Sequence, residues 1–328
     1  MKKIIIVLLF INLFPIGYSQ IIKGTIIDKL NNASISFATV YINGTYIGTY
    51  SDKNGNFELD ISKYSSMPLT VSALGYHRET LVDFVKDKPL VIYLTPKVFE
   101  LKEVVINSRE QSRLRRGRLL IFREEFLGKT DNGQNCEILN EQDINFSYDE
   151  KTDTLKAFSA NPLIIINVRL GYKITYYLEK FVSCKRGQYF SYDGSVIFNK
   201  DSIPDGSQKQ NFERKRRYAY LGSRMHFLRE LWNNNLKASG FSIINMLDES
   251  LDYKMLVTKN DSPEKFFYYP ERIGIGYYSR DPSSYIVFNK GKVFFDANGY
   301  FDPDGISWEG QMSRQRLGDL LPYEYNSN

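Results

Sequence analysis

Between Ile22 and Leu94 the apolar residues fall in short runs separated by Gly, Asn and Asp. Thr39-Val40-Tyr41-Ile42, Tyr46 to Tyr50 and Phe57 to Ile61 are rich in β-branched and aromatic side chains, which pack well on a pleated surface. Phe57, Leu59 and Ile61 alternate with Glu58 and Asp60, so one face of that strand is buried and the other is wet. Asn43-Gly44 and Asp52-Lys53-Asn54-Gly55 lie between the runs. Gly reaches positive φ at little cost and Asn or Asp tolerates it, so both segments read as turns. Ile22 to Asp28, Leu69 to Ala73 and Val91 to Leu94 supply further strands. Six or seven strands in about 85 residues predict a small β-sandwich.

The pattern then changes. Leu119, Phe122 and Phe126 fall on one side of a helix. Ile144 to Tyr148 and Thr154 to Phe158 read as a hairpin around Asp149 to Asp153. Leu163 to Val168, Tyr172 to Leu178, Gln188 to Tyr192 and Ser195 to Asn199 continue the sheet, with Asp193-Gly194 as a hairpin turn. Leu221, Met225, Leu228, Trp232 and Leu236 share one helical face. That stripe predicts one main helix, ended by Gly240, with Trp232 buried against the sheet. Basic residues 214–217 stand beside it, and a competing reading makes the pair a docking surface for an acidic partner. Tyr253 to Thr258, Lys265 to Tyr269, Gly274 to Tyr278, Tyr285 to Asn289 and Lys292 to Asp296 read as strands, with Asn289-Lys290-Gly291 as a turn. The fold class is mostly β: an N-terminal β-sandwich, then an α+β domain with one main helix packed on antiparallel sheet.

Composition adds an address. Met1-Lys2-Lys3 and the apolar run Ile4 to Ile16 form the n- and h-regions of a secretory signal peptide, with Gly17 and Ser19 placing cleavage before Gln20. The expected organisation is a leader over 1–19, the sandwich over 20–106, a basic linker over 107–118 and the α+β domain over 119–328. The formal charge is +5, which falls by two when Lys2 and Lys3 leave with the leader and implies no nucleic-acid partner. After the leader no run approaches the roughly 18 apolar residues of a membrane helix.

Several segments resemble a known family. They are Ile22-x-Gly24-x-Ile26-x-Asp28, Ala38 to Ile42, Gly48-Thr49, Ser51-Asp52-x-x-Gly55-x-Phe57, Ala73-x-Gly75-Tyr76 and Leu101 to Ile106. Together they resemble the carboxypeptidase regulatory-like domain. The resemblance implies an Ig-like, transthyretin-like sandwich of the kind found at the N-termini of exported and outer-membrane proteins of Bacteroidota-type bacteria. It implies no catalysis, because sites are argued separately from folds. Phe122 to Gly128 and Asp319 to Tyr325 resemble a companion region that follows the domain in other exported proteins, and no chemistry comes with it.

Candidate chemistry is sparse. A catalytic zinc needs three protein ligands and an open position; the chain has two histidines, His77 and His226, and neither begins a His-x-x-Glu. No Gly-x-Ser-x-Gly elbow is present. Cys136 or Cys184 with His226 is a weak thiol pair. Cys136 and Cys184 are also the candidates for one disulfide, with two buried thiols as the alternative. Asp52-x-Asn54-Gly55, Asp296-x-Asn298-Gly299 and the nearby Asp302-Pro303-Asp304-Gly305 look like fragments of calcium loops, but turn chemistry accounts for them. Glu124 and Glu125 point about 100° apart on a helix, a poor acid–base pair. The expectation is therefore an exported, non-enzymatic binding or assembly protein of the periplasm or outer membrane. It takes no cofactor or metal, has no catalytic residue, and meets an unknown protein or glycan partner at the envelope. The alternative is an enzyme acting on glycan or peptide through the second domain. A small outer-membrane barrel fits less well, since few segments alternate over the roughly 10 residues a spanning strand needs.

Overall fold

The computed structural model describes residues 20–82, 84, 88–97, 109–187, 189–199, 209–259 and 264–327. The leader over 1–19 and the family-like segment 101–106 lie outside the described residues. The chain is mostly β, a sandwich followed by an α+β region.

The sandwich has β1 (Ile21–Asp28), β2 (Thr39–Ile42), β3 (Gly48–Tyr50), β4 (Asn56–Asp60), β5 (Leu69–Ser72), β6 (Glu79–Leu81) and β7 (Leu90–Leu94). One sheet runs β4-β1-β7 and the other β3-β2-β5-β6. β1 pairs antiparallel with β4 and parallel with β7. Ile22, Ile26, Val40, Ile42, Leu69, Val71 and Leu94 fill the space between the sheets. Phe57, Leu59 and Ile61 are buried while Glu58 and Asp60 are exposed, as the alternation requires. Asp52 Oδ1 accepts the N–H of Asn54 and of Asn56, each at 2.8 Å, so this Asp closes an ordinary Asx turn.

The next unit holds α1 (Arg109–Phe126), α2 (Asp131–Gln134), β8 (Cys136–Ile138), β9 (Ile144–Asp149), β10 (Thr154–Ser159), β11 (Leu163–Asn167), β12 (Tyr172–Cys184) and β13 (Tyr189–Asn199). The basic run 113–118, expected within a linker, is helical and continuous with the Phe122–Phe126 stretch. Phe122 and Phe126 stack at 4.9 Å and pack on Phe181 and Tyr176. β13 pairs with β12 over the whole ribbon, while β11 and then β10 share its other edge. Asp193-Gly194 is therefore not a turn. It sits inside β13, where the register shifts between Leu178 and Lys180. A Cβ on Gly194 would lie 2.4 Å from the Tyr177 carbonyl oxygen and from the Tyr176 ring. Gly serves there for close approach at a bulge.

The last unit holds α3 (Lys209–Tyr220), α4 (Arg224–Trp232), β14 (Phe241–Ile244), α5 (Tyr253–Leu256), β15 (Val257–Lys259), β16 (Lys265–Phe267), β17 (Ile273–Tyr277), β18 (Ser284–Phe288), β19 (Val293–Phe295) and β20 (Ile306–Gly310). Its sheets run β14-β17-β18-β20 and β15-β16-β19. Of the expected helix across Leu221 to Leu236 only α4 is helical; it is separated from α3 by a turn at Gly222, where Leu221 is exposed. The α4 face that packs inward carries Phe227, Leu228 and Leu231. Trp232 is only half-buried, edge-on to Phe295 at 5.5 Å. The strand expected from Tyr253 begins as the short helix α5. Asn289-Lys290-Gly291 does not join a hairpin, because β18 pairs with β17 and β20 while β19 pairs with β16. The α+β region has two hydrophobic cores rather than one, and Leu317, Leu321 and Tyr325 return to the first of them.

The sandwich is docked, not tethered. The Asn43-Gly44-Thr45 turn inserts beside β13: Gly44 donates to the Val196 carbonyl at 2.9 Å, and Val196 donates to Asn43 Oδ1 at 2.8 Å. Phe198 donates to the Thr45 carbonyl at 3.0 Å, and Tyr323 donates to the Gly44 carbonyl at 2.9 Å. Tyr41, fully buried, hydrogen-bonds Ser195 and stacks on Tyr177. Arg78–Asp193 and Lys97–Glu179 ion pairs flank the contact.

Candidate functional site

A concavity lined by charged side chains lies between the two cores of the α+β region. It has a volume of about 580 Å³ and is lined by α2, α3, β17 and the tail after β20. The turn after β11 and the helix α3 build its charged wall.

The turn is held from beneath. Asn167 is fully buried; its Oδ1 accepts the N–H groups of Arg169 and Leu170, and its Nδ2 donates to the Gly318 carbonyl at 2.8 Å. From the α3 side, buried Arg216 donates to the Leu170 carbonyl at 2.8 Å and lies 4.2 Å from the Tyr172 ring centroid. These bonds fix α3 against the turn, so Arg169, Lys215 and Tyr218 all reach the same opening. Lys215 and Tyr218 are three residues apart, hence neighbours on one helical face. Arg314 and Gln315 face them from the tail.

The charges divide into two groups. The two carboxylates are occupied by the protein's own donors. Asp319 Oδ1 accepts from Thr130 Oγ1 and Asn132 Nδ2, each at 2.9 Å. Asp131 pairs with an Arg169 terminal nitrogen and accepts from Asn135 Nδ2. Burial raises the Asp319 carboxyl above its ordinary range, against the pull of the Asn132 and Thr130 hydrogen bonds. The cations are less satisfied. Arg169 Nε is buried with no hydrogen-bond partner. Lys215 and Arg314 have no side-chain partner among the described residues. Burial, then the Arg169 charge, lowers the Lys215 ammonium.

The residues singled out in the sequence lie elsewhere. His77 is exposed on the sandwich. His226 is buried in α4, where its Nδ1 accepts the Gly222 N–H at 3.1 Å and burial lowers its pKa. Both cysteines are buried free thiols, the alternative to a disulfide between them. Cys136 pairs with Asn167, and Asn167 with Tyr172, at the start of β12. Cys184 closes the same strand, about 40 Å further on at roughly 3.3 Å per residue, whereas a bridge needs Cα atoms within about 7 Å. Burial pushes the Cys136 thiol up to about 12, which removes it as a nucleophile. Glu124 and Glu125 both contact Lys129 rather than facing a cavity. Asp296 is buried and satisfied: Oδ1 accepts from Asn298 and Tyr300, and Oδ2 from Ser66 of the sandwich. Asp302 pairs with Lys290 at 2.7 Å. No cluster of metal-ligating side chains occurs among the described residues. A concavity of about 500 Å³ on the sandwich is open and shallow, and its Lys23 and Glu58 already pair at 2.9 Å. No described helix is long and apolar enough to cross a membrane.

The comparisons with known proteins bear on the sandwich. Residues 22–106 match the family model described as the CarboxypepD_reg-like domain. The N-terminal unit is therefore a carboxypeptidase regulatory-like domain, as its motifs and its two sheets indicate. No curated protein matches the chain. Among solved structures, a 9R-lipoxygenase from Cyanothece PCC8801 aligns at 10% identity and a TM-score of 0.20, over 67% of this chain and 49% of that one. The chain thus spans about half the length of that protein, and at this score the likeness carries no argument.

Proposed function

We propose that this chain is a non-enzymatic binding protein of the bacterial cell envelope, exported by its N-terminal leader, whose ligand sits in the cleft of the α+β region. The regulatory-like domain is its docked scaffold. One observation carries the reading. In the cleft Asp319 is held by the protein's own hydrogen-bond donors and Asp131 by Arg169, while Lys215 and Arg314 line the opening with no side-chain partner among the described residues. General acid–base chemistry needs carboxyl groups free to exchange protons with a substrate; capture needs unspent donors. Export is supported by the sequence of 1–19 alone.

The test is a turnover screen with the purified chain against oligosaccharide and peptide substrates. The expected result is binding without product. Product formation that disappears in Asp319→Asn overturns the reading and favours a hydrolase, since burial raises the pKa of this cleft carboxyl.

A further inference from the structure

The cleft places two cations side by side with one counter-charge between them. Arg169 and Lys215 line the same opening. Of the pair, Arg169 alone meets an anion, Asp131, through a terminal nitrogen; its Nε–H is buried and unbonded. An unmade hydrogen bond at a buried charged donor is costly. Lys215 lines the same opening without a side-chain partner among the described residues; burial first, and then the neighbouring Arg169 charge, lower its affinity for a proton, while Asp131 pulls the other way. The arrangement is locally unfavourable, yet the structure enforces it through Asn167 and Arg216. A ligand with negatively charged oxygens resolves it, because guanidinium and ammonium donors to such oxygens form the strong class of hydrogen bond. Tyr218 is 77% exposed at the same opening, and Tyr277 stands on the β17 wall. An exposed ring beside paired cations suits a ligand with a flat or ring-shaped body.

We infer that the cleft binds a small organic oxyanion, a ring-bearing phosphate or carboxylate, gripped by Arg169 and Lys215 and covered by Tyr218. This deepens the binding reading and rests on it. Asp131 is then a built-in competitor: it occupies part of the Arg169 fork until the ligand displaces it.

The experiment is calorimetric titration of the full chain at fixed ionic strength with p-nitrophenyl phosphate, benzoate and the neutral p-nitrophenyl β-D-glucoside. The two charged probes separate a phosphate source from a carboxylate source. The expected result is saturable binding of at least one of them, with the glucoside at least ten-fold weaker. Arg169→Gln and Lys215→Gln each weaken that binding at least ten-fold. Lys215 makes no side-chain bond among the described residues, so its variant folds normally even if Arg169→Gln does not. Asp131→Asn tightens binding several-fold by freeing the Arg169 fork, an effect that a merely structural Asp131 does not produce. Silence of both charged probes, or equal affinity for the glucoside that is insensitive to Lys215→Gln, overturns the oxyanion inference and leaves the binding reading intact. Release of p-nitrophenolate, lost in Asp319→Asn, overturns the binding reading instead.

Discussion

The sandwich and the α+β region solve the same packing problem with different kinds of contact. In the sandwich, short strands alternate and turn on nearby Gly and Asx residues, and the core closes within about 75 residues. In the α+β region, order comes from distant partners. Asn167 donates to Gly318, Arg229 donates to the carbonyls of Asn298, Tyr323 and Tyr325, and the C-terminal tail returns to the first core. The cleft lies beside the Asn167–Gly318 contact, between Arg169 and Asp319 of its lining. Local order thus makes the scaffold, and non-local order makes the site.

The largest expected effect breaks the joint between the two. Gly44 has φ of +80°, and a Cβ there would lie 2.6 Å from the Tyr323 ring. Gly44→Val adds backbone strain to overpacking and is expected to cost about 3–4 kcal/mol. It should also split one thermal transition into two, as the sandwich loses its seat. A single transition at the wild-type midpoint contradicts the docked arrangement. Trp232→Ala probes the second core. Trp232 is half-buried against Phe295 with Lys265 over its ring at 4.3 Å, so the expected loss is about 3 kcal/mol, at the low end for such a change. Unchanged stability would make that ring a docking residue.

Gly55→Val tests the sandwich alone. Gly55 has φ of +78°, and a Cβ there would sit 2.7 Å from the Ile26 carbonyl oxygen. The expected cost is about 2 kcal/mol, without the splitting seen for Gly44→Val. The smallest effect is a pH dependence. Burial depresses the His226 pKa below its usual 6.5 in the folded state. The unfolded chain therefore binds a proton first as pH falls. The His226 contribution is present above about 6.5 and is lost as pH drops through the folded pKa. Denaturant midpoints at pH 7.5 and pH 5 should differ more for the wild type than for His226→Gln, and equal differences would contradict the buried neutral imidazole.

What was legible in the sequence follows the same division. Phe57, Leu59 and Ile61 announced their face by period, and Gly55 its turn by composition, because both signals lie within a few residues. Asp193-Gly194 misled for the same reason: the dipeptide looks like a hairpin turn, but the bulge opposite Leu178 is set by a partner strand. The α4 stripe misled because its 3.6-residue spacing ran past both ends of the helix: Leu221 lies in the turn at Gly222 and Leu236 in the turn after Trp232. The basic run 214–217 was visible, yet its roles were not. Arg216 is buried and spent on the Leu170 carbonyl, and its neighbour Lys215 faces the cleft. Arg169 carried no signal, since nothing in Asn167-Val168-Arg169 shows that Gly318 will anchor the turn beneath it.

The central claim is that the cleft beside Lys215, and not the sandwich, holds the ligand. Competitive amine labelling read by mass spectrometry tests it most directly. Acylation at neutral pH is followed at Lys215 in the cleft and at the exposed Lys53 and Lys63 of the sandwich. Saturating p-nitrophenyl phosphate should suppress labelling at Lys215 and leave Lys53 and Lys63 unchanged. Protection confined to the sandwich lysines, with Lys215 labelled as before, would contradict the account.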